Sequence, residues 1–309
     1  MRSKLKLAVP DLITNSYFPA LAAVELGFFE REGLEVEIEL VAPTGRTYAE
    51  LRDGAADFVV AEAHAAFSAF PGWQGLKLLC AMSQGMYWFL VMRPDIARAR
   101  GDLSVVKGCR IAAAPWVELG LKQLLRDAGF DLLRDAITIA PLEGSLGPKV
   151  NIGVTAALAL QERRIDGFWA NGMGAELAVR RGAGTIVLDV RRGDGPASAF
   201  GYTLPVMAAR AEFVDKAPKQ ADAAVRAIKA AMAALKADVS LATKAAARLF
   251  PDEERGLIAE LVQRDLPYYD ATLSRETFAS LNRFSRQCEI LTGDPDYDAI
   301  VVAQTATIL

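Results

Sequence analysis

Two stretches of the chain repeat one pattern, and that repetition constrains the fold more than any other feature. Leu51-Arg52-Asp53-Gly54-Ala55-Ala56-Asp57-Phe58-Val59-Val60-Ala61 is echoed by Leu160-Gln161-Glu162-Arg163-Arg164-Ile165-Asp166-Gly167-Phe168-Trp169-Ala170. In both, a helical segment ends, an Asp stands six residues after the leucine, and a short apolar strand runs to an Ala. A second echo pairs Lys4–Val9 with Cys109–Ala114, each a strand that precedes a polar loop and a helix. Short apolar strands alternating with amphipathic helices are the pattern of a mostly parallel sheet with helices on its faces. Two similar α/β units are therefore expected. The length of 309 residues agrees, being long for one compact domain and comfortable for two.

Local signals fill in this outline. After the strand at 4–9, the polar loop with Pro10, Asp11, Thr14, Asn15 and Ser16 leads to a helix with Pro19 in its first turn. Leu21, Val24 and Phe28 fall on one face of that helix, and Gly33 is expected to stop it. Glu35–Val41 alternates charged and apolar residues, so one face of this strand is wet and it lies near a sheet edge. Two apolar runs, Met86–Met92 and Phe200–Met207, bracket the second unit and are read as the two crossings between lobes, with the hinge there. The remainder is helical. Pro218 opens a helix with the stripe Ala221, Val225, Ile228, Met232 and Leu235, another follows Pro251, and a third starts near Ser274. These helices read as packing.

Composition removes several function classes. Lys plus Arg number 35 against 38 Asp plus Glu, with no long block of one sign, so neither nucleic acid nor an anionic membrane is an expected partner. Cys80, Cys109 and Cys288 are far apart and flanked by apolar residues, which fits buried free thiols better than a disulfide framework or a metal knuckle. With His64 as its one histidine, the chain has no cluster for a catalytic metal. Gly144-Ser145-Leu146-Gly147 lacks the spacing of a nucleophile elbow, Asn171-Gly172-Met173-Gly174 is not a dinucleotide fingerprint, and no Walker A sequence occurs. No apolar run reaches the roughly 20 residues that span a bilayer. Met1-Arg2-Ser3 runs straight into the first strand without a signal peptide, which leaves export or a cytoplasmic location open.

Leu5–Val9, Tyr17-Phe18-Pro19-Ala20, Glu25–Val36 with its Gly27-Phe28-Phe29-Glu30-Arg31-Glu32-Gly33-Leu34, and Leu51–Phe58 together resemble one family. It is that of the ABC-transporter solute-binding proteins for alkanesulfonates, taurine, nitrate and thiamine pyrimidine precursors. Arg163–Ala170, Gly201–Leu204 and the C-terminal helices extend the resemblance over most of the chain. It implies a two-lobed type II periplasmic-binding-protein fold, each lobe a mostly parallel sheet flanked by helices. One lobe would comprise 1–88 plus 204–309 and the other 89–203, closing on a ligand about two crossover strands. The implied partners are a small-molecule ligand and the permease subunits of an uptake system. The resemblance further implies no cofactor, a monomer, and a periplasmic or exterior location.

Ligands of open α/β sheets bind at the carboxyl ends of the strands, which selects the candidate residues. Thr14, Asn15, Ser16 and Tyr17 follow the first strand and offer hydroxyl and amide groups at a helix start, where an anion is favoured; a plain N-cap is the alternative for Asn15 or Ser16. Arg46 precedes another helix and could pair with a carboxylate, sulfonate or phosphonate, or be an ordinary surface arginine. Glu62 and His64 follow the echo strand, and ligand contact is favoured for His64 over a structural role. Gln84 and Trp88 lie in the first crossover, and Trp116 and Asn171 follow strands of the second unit. With Tyr17, the two tryptophans suggest an aromatic-lined pocket with a few polar anchors.

Two other readings share the fold. A thiamine-pyrimidine-synthase-like enzyme would suit a cytosolic chain, but such enzymes use a cysteine-rich segment and a lysine near the histidine to hold pyridoxal. Glu62-Ala63-His64-Ala65-Ala66 has neither nearby. The effector domain of a regulator would need a helix-turn-helix, for which no N-terminal segment remains. An organic acid or sulfonate is the expected ligand of a binding protein.

Overall fold

The computed structural model describes residues 4–145 and 152–303, so Leu146 and Gly147 of the stretch considered above lie outside the described residues. Ten strands follow in chain order: β1 (Leu5–Val9), β2 (Val36–Leu40), β3 (Phe58–Glu62), β4 (Leu76–Ala81), β5 (Phe89–Met92), β6 (Arg110–Ala113), β7 (Thr138–Ala140), β8 (Gly167–Ala170), β9 (Thr185–Asp189) and β10 (Pro205–Arg210). The chain divides into two compact units, one running to Gln84 and resuming at Leu204, the other Gly85–Thr203.

Each unit is built on a five-stranded sheet flanked by helices. The first has the order β2-β1-β3-β10-β4 and the second β7-β6-β8-β5-β9. In both, four strands are parallel and the fourth in order runs against them: β10 is antiparallel to β3 and β4, and β5 to β8 and β9. The sheets are thus mixed, with the odd strand in each case the one next to where the chain passes between units.

The two sequence echoes have a common structural cause. Asp57 Oδ2 accepts the backbone N–H of Lys6 at 2.9 Å, and Asp57 N–H donates to the Lys6 carbonyl at 3.0 Å. In the second unit Asp166 Oδ2 accepts the N–H of Arg110 at 2.8 Å and Asp166 N–H donates to the Arg110 carbonyl at 2.9 Å. Each Asp therefore satisfies a backbone donor at the entry to the neighbouring parallel strand, where water or an orphaned amide would otherwise stand. The pattern of leucine, Asp and strand is a register pin used once in each sheet.

The edge position of β2 and the stripe of the long helix after Pro218 are met, whereas the first helix is shorter than expected and Cys288 is only half-buried. β2 is an edge strand with no fully buried residue, as its alternating charges require. The helix with Pro19 in its first turn spans Phe18–Glu25 and ends before Gly33, because Gly27 takes a left-handed φ of 73° and starts a separate turn, Phe28–Arg31. The helix Pro218–Ala237 buries Ala221, Val225, Ile228, Met232 and Leu235 as one stripe. In the second unit Phe89, Val91, Phe168 and Ala170 pack with Ala156, Ala157, Leu160, Ala175 and Ala178 of the helices Ile152–Gln161 and Gly172–Arg180. Cys80 and Cys109 are buried and Cys288 half-buried, all as free thiols. Burial pushes the Cys80 thiol up to about 12.

Candidate functional site

Parallel strands end on one edge of a sheet, so the first unit gathers the loops after β1, β2, β3 and β4 along a single carboxyl edge. The loop after β1 is shaped by Asp11. Its carboxylate accepts the N–H groups of Ile13 at 2.9 Å and Thr14 at 2.8 Å and the Thr14 hydroxyl at 2.7 Å. This Asx-type turn leads the chain into the 3-10 turn Asn15–Tyr17. Burial raises the Asp11 carboxyl above the usual range, against the opposing effect of hydrogen bonds from Tyr17 and Thr14.

Thr14, Asn15, Ser16 and Tyr17 are all buried. Asn15 Nδ2 and Ser16 Oγ both donate to Asp265 Oδ2 at 2.7 Å, and Tyr269 donates its hydroxyl to the Asn15 carbonyl at 2.5 Å. The helix Phe18–Glu25 has no side-chain cap, so Asn15 and Ser16 are not spent as N-caps. Instead the helix Asp252–Asp265 and the turn after it clamp the loop from the far end of the sequence.

The remaining candidates of this unit differ in setting. Arg46 lies in the first turn of the helix Thr44–Arg52, with its side chain 64% exposed and its Nε 3.5 Å from Glu50. That is the geometry of an ordinary surface pair. Glu62, the last residue of β3, is buried, and its carbonyl accepts the Tyr48 hydroxyl at 3.1 Å. Burial, followed by the Glu62 charge, holds the Tyr48 hydroxyl well above its usual value. His64 is fully buried, its ring edge-on to Phe284 with centroids 5.4 Å apart. Gln84 Nε2 donates to the carbonyls of Asp270 at 3.0 Å and Thr272 at 2.8 Å, which ties the end of β4's loop to the C-terminal segment.

In the second unit the carboxyl ends of β6, β7, β8 and β9 share an edge, and the reversed β5 brings Tyr87 and Trp88 to it. Trp88 lies 4.9 Å from the Tyr87 ring and 6.1 Å from Trp169, which points away from the Phe168 and Ala170 cluster. The helix Val117–Asp127 closes over these rings: a Cβ at its Gly120 would fall 2.9 Å from Met86 Sδ and 3.1 Å from Trp88. Trp116 precedes this helix with φ 71° and ψ −44°, a strained conformation for a side chain this large. Glu118 stands in the first turn. Burial raises its carboxyl, with its own backbone amide and then Lys122 opposing. Asn171 Oδ1 accepts the Gly174 N–H at 3.1 Å and is the N-cap of the helix Gly172–Arg180. Asp189 and Arg191 are buried at the end of β9; the Arg191 guanidinium lies 5.7 Å from the Tyr87 ring centroid and donates to the Gly85 carbonyl at 3.2 Å.

The structure therefore adds Asp11, Glu118, Trp169, Asp189, Arg191, Asp265 and Tyr269 to the residues at or bracing these edges. Arg191 could have been found from the strand-like Thr185–Asp189 that precedes it. Asp265 and Tyr269 carry no local signal. Among the described residues no group of three or more His, Cys, Asp or Glu side chains could hold a metal ion, and no helix is long and apolar enough to cross a membrane.

The fold is shared with solved structures at low identity. A protein from Bordetella bronchiseptica RB50 superposes with a TM-score of 0.73 at 19% identity, covering 96% of this chain and 91% of its own. The alkanesulfonate-binding protein SsuA from Xanthomonas axonopodis pv. citri, bound to MOPS, gives 0.72 at 14% identity, with 97% and 98% covered. The desulfurization enzyme DSZB gives 0.66 at 15% identity, with 96% of each chain covered. The chain thus has the α/β fold of the two-lobed solute-binding proteins, a fold that also carries an enzyme. Residues 14–84 match the family model described as NMT1/THI5 like, in agreement with the resemblance read from the sequence. No curated protein matches the sequence.

Proposed function

We propose that this chain is the solute-binding component of an ABC-type uptake system, and that it holds a small organic molecule with the residues at the carboxyl edges of its units. The observation that carries this reading is the buried polar loop Thr14–Tyr17, fixed by Asp265 and Tyr269 with side chains spent neither on helix capping nor on solvent. A polar group held in place before its ligand arrives loses little entropy on binding. In the second unit Trp88 and Trp116 are aromatic side chains of the kind that line small-molecule sites. The passages at Gln84–Gly85 and Thr203–Leu204 serve as the hinge, and the permease subunits are the implied partner, reached from the periplasmic or exterior side.

Binding is favoured over turnover by where the reactive side chains lie. Cys80 is inside β4 with its thiol held protonated, Cys109 precedes β6 at the opposite edge, and His64 is packed against Phe284. Burial raises both the Cys80 and the Cys109 thiol, the opposite of the shift that activates a nucleophilic cysteine. The test is a thermal-shift screen followed by calorimetry and chromatography of the bound compound. A compound that raises the melting temperature and is recovered unchanged supports the reading, because ligand binding to the native state must stabilise it. Conversion of the compound to product refutes it.

A further inference from the structure

The echo between the two units breaks at one corner. Gly54 stands three residues after Leu51 and Arg163 three after Leu160, and the backbones there match. Gly54 N–H donates to the Leu51 carbonyl at 3.2 Å and Arg163 N–H to the Leu160 carbonyl at 3.1 Å, while Ala55 and Arg164 donate to Glu50 and Ala159, both at 2.9 Å. Both residues take a left-handed φ, 80° at Gly54 and 59° at Arg163. Glycine adopts that conformation freely and a residue with a Cβ does not, so the turn itself gives no reason for an arginine.

The reversed strand of each sheet also delivers an arginine to this corner. Ala209 lies opposite Phe58 and Met92 opposite Gly167, so Arg210 and Arg93 follow at equivalent places. In the first unit Arg210 turns back over Gly54 and its Nη1 donates to the carbonyls of Leu51 at 2.5 Å and Ala56 at 2.8 Å. In the second unit Arg93 is drawn to carboxylates instead, with Nη1 3.0 Å from Asp166 and Nε 3.2 Å from Asp95. A cavity of about 320 Å³ opens beside it, with Asp95, Gln161, Arg163 and Arg181 also in its walls. These segments precede β8 and β9 or follow the reversed β5, so the cavity lies at the amino edge of the second sheet, away from the candidate solute-binding edge.

Three guanidinium groups line this cavity against one carboxylate. Arg93 is committed to Asp95 and Asp166 and serves as a braced wall. Arg163 is not committed in this way: its side chain is 69% exposed, and its one polar contact among the described residues is Asp95 at 3.5 Å. A guanidinium has five N–H donors, no acceptor and no accessible neutral form, so it can be satisfied only by acceptors. Asp95 already faces both Arg93 and Arg163, which leaves a cation nothing unmatched to bind. The volume is at the small end of ligand sites, enough for a compact ion.

We propose that this corner of the second unit is a second binding site, for a small oxyanion of two or more negative charges such as a diphosphate, a phosphate ester or a polycarboxylate. Arg163 and Arg181 grip the oxygens with paired N–H donors, and Arg93 holds the wall behind them. The left-handed arginine is explained by this use, since it puts a guanidinium where the first unit has only a glycine hydrogen. The site goes beyond solute binding and does not depend on it.

The experiment is titration calorimetry of the full chain at low ionic strength with pyrophosphate and with citrate, and with chloride at matched ionic strength as the control. One of the two oxyanions is expected to bind saturably, and Arg163→Gly and Arg181→Gln each to weaken that binding about 10- to 100-fold, the range for a hydrogen bond to a charged group. Which of the two binds more tightly tells phosphate from carboxylate chemistry. Arg163→Gly installs the residue of the first unit, so relief of the left-handed conformation offsets the freedom glycine adds to the unfolded chain, and Tm should stay within about 2 °C. Arg181→Gln leaves that turn untouched, so the pair of variants separates lost charge from altered backbone. Binding that both variants leave unchanged, or no binding beyond that of matched chloride, overturns the proposal and leaves the solute-binding reading standing.

Discussion

Replacing Asp265 tests whether the loop after β1 is held by a remote acceptor. Its Oδ2 receives two donors, Asn15 Nδ2 and Ser16 Oγ, each at 2.7 Å, in a place where all three residues are buried. Asp265→Ala removes the acceptor that both donors share. An orphaned buried donor costs about 1–3 kcal/mol, and because both bonds end on one oxygen their losses overlap. A destabilisation of about 3 kcal/mol follows, which for a unit of this size is a fall in Tm of about 6–12 °C. Asp265→Asn keeps one carbonyl oxygen for the same two donors and should cost about 1 kcal/mol, or 2–4 °C. Differential scanning calorimetry of both variants reads the difference directly, and an Asn15→Ala, Asp265→Ala double-mutant cycle gives the coupling. If Asp265→Ala melts within about 2 °C of the unaltered protein, the clamp does not hold the loop. If Asp265→Asn is as damaging as Asp265→Ala, the charge matters and the accepting oxygen does not.

Three further outcomes are expected. Gly120→Ala places a methyl group 2.9 Å from Met86 Sδ and 3.1 Å from Trp88, so it should destabilise by about 1–3 kcal/mol and shift the tryptophan fluorescence of the second unit. Trp116→Gly relieves the positive φ and should raise Tm by about 2–4 °C, about 1 kcal/mol, while weakening ligand binding if Trp116 touches ligand; calorimetry with and without ligand separates the two effects. Cys80, held up to about 12 by burial, should resist a thiol reagent at pH 8 until guanidinium unfolds the protein. The sign for stability follows from linkage. The unfolded thiol ionises near 8.5, so the stabilising effect of a protonated Cys80 is complete below that pH and is lost as pH rises from there towards 12.

What the sequence made legible was local in origin. The strands β1, β3, β6 and β8 and the pins Asp57 and Asp166 could be read because each repeats a pattern within a dozen residues. The edge position of β2 followed from its charges, and the stripe of the helix Pro218–Ala237 from its period. The placement of Thr14, Asn15, Ser16 and Tyr17 after a strand was legible for the same reason. Their bonding was not, since Asn15 and Asp265 are 250 residues apart and nothing near either one signals the other. The C-terminal helices read as packing from their apolar stripes, yet they supply Asp265, Tyr269 and the Phe284 ring against His64. Apolar periodicity identifies which face of a helix is buried but says nothing about its last residue, and Asp265 is that residue.

The two carboxyl edges are built on the same strand order but stabilised by different means, and the difference assigns them different work. In the first unit the loop after β1 is fixed by an internal turn at Asp11 and by acceptors and donors from Asp265 and Tyr269, so its geometry exists before any ligand does. In the second unit Asn171 caps its own helix, but Trp116 is held at positive φ and Glu118 and Trp169 keep unmatched polar atoms. Strain and unmade hydrogen bonds persist where a surrounding structure over-determines them and where a bound state repays the cost. On the proposed solute-binding reading, the first edge is a preformed polar cradle and the second gains most when ligand arrives, so substitutions at Glu118, Trp116 and Trp169 should change which compound is bound, whereas those at Asp265 should change how firmly the fold holds.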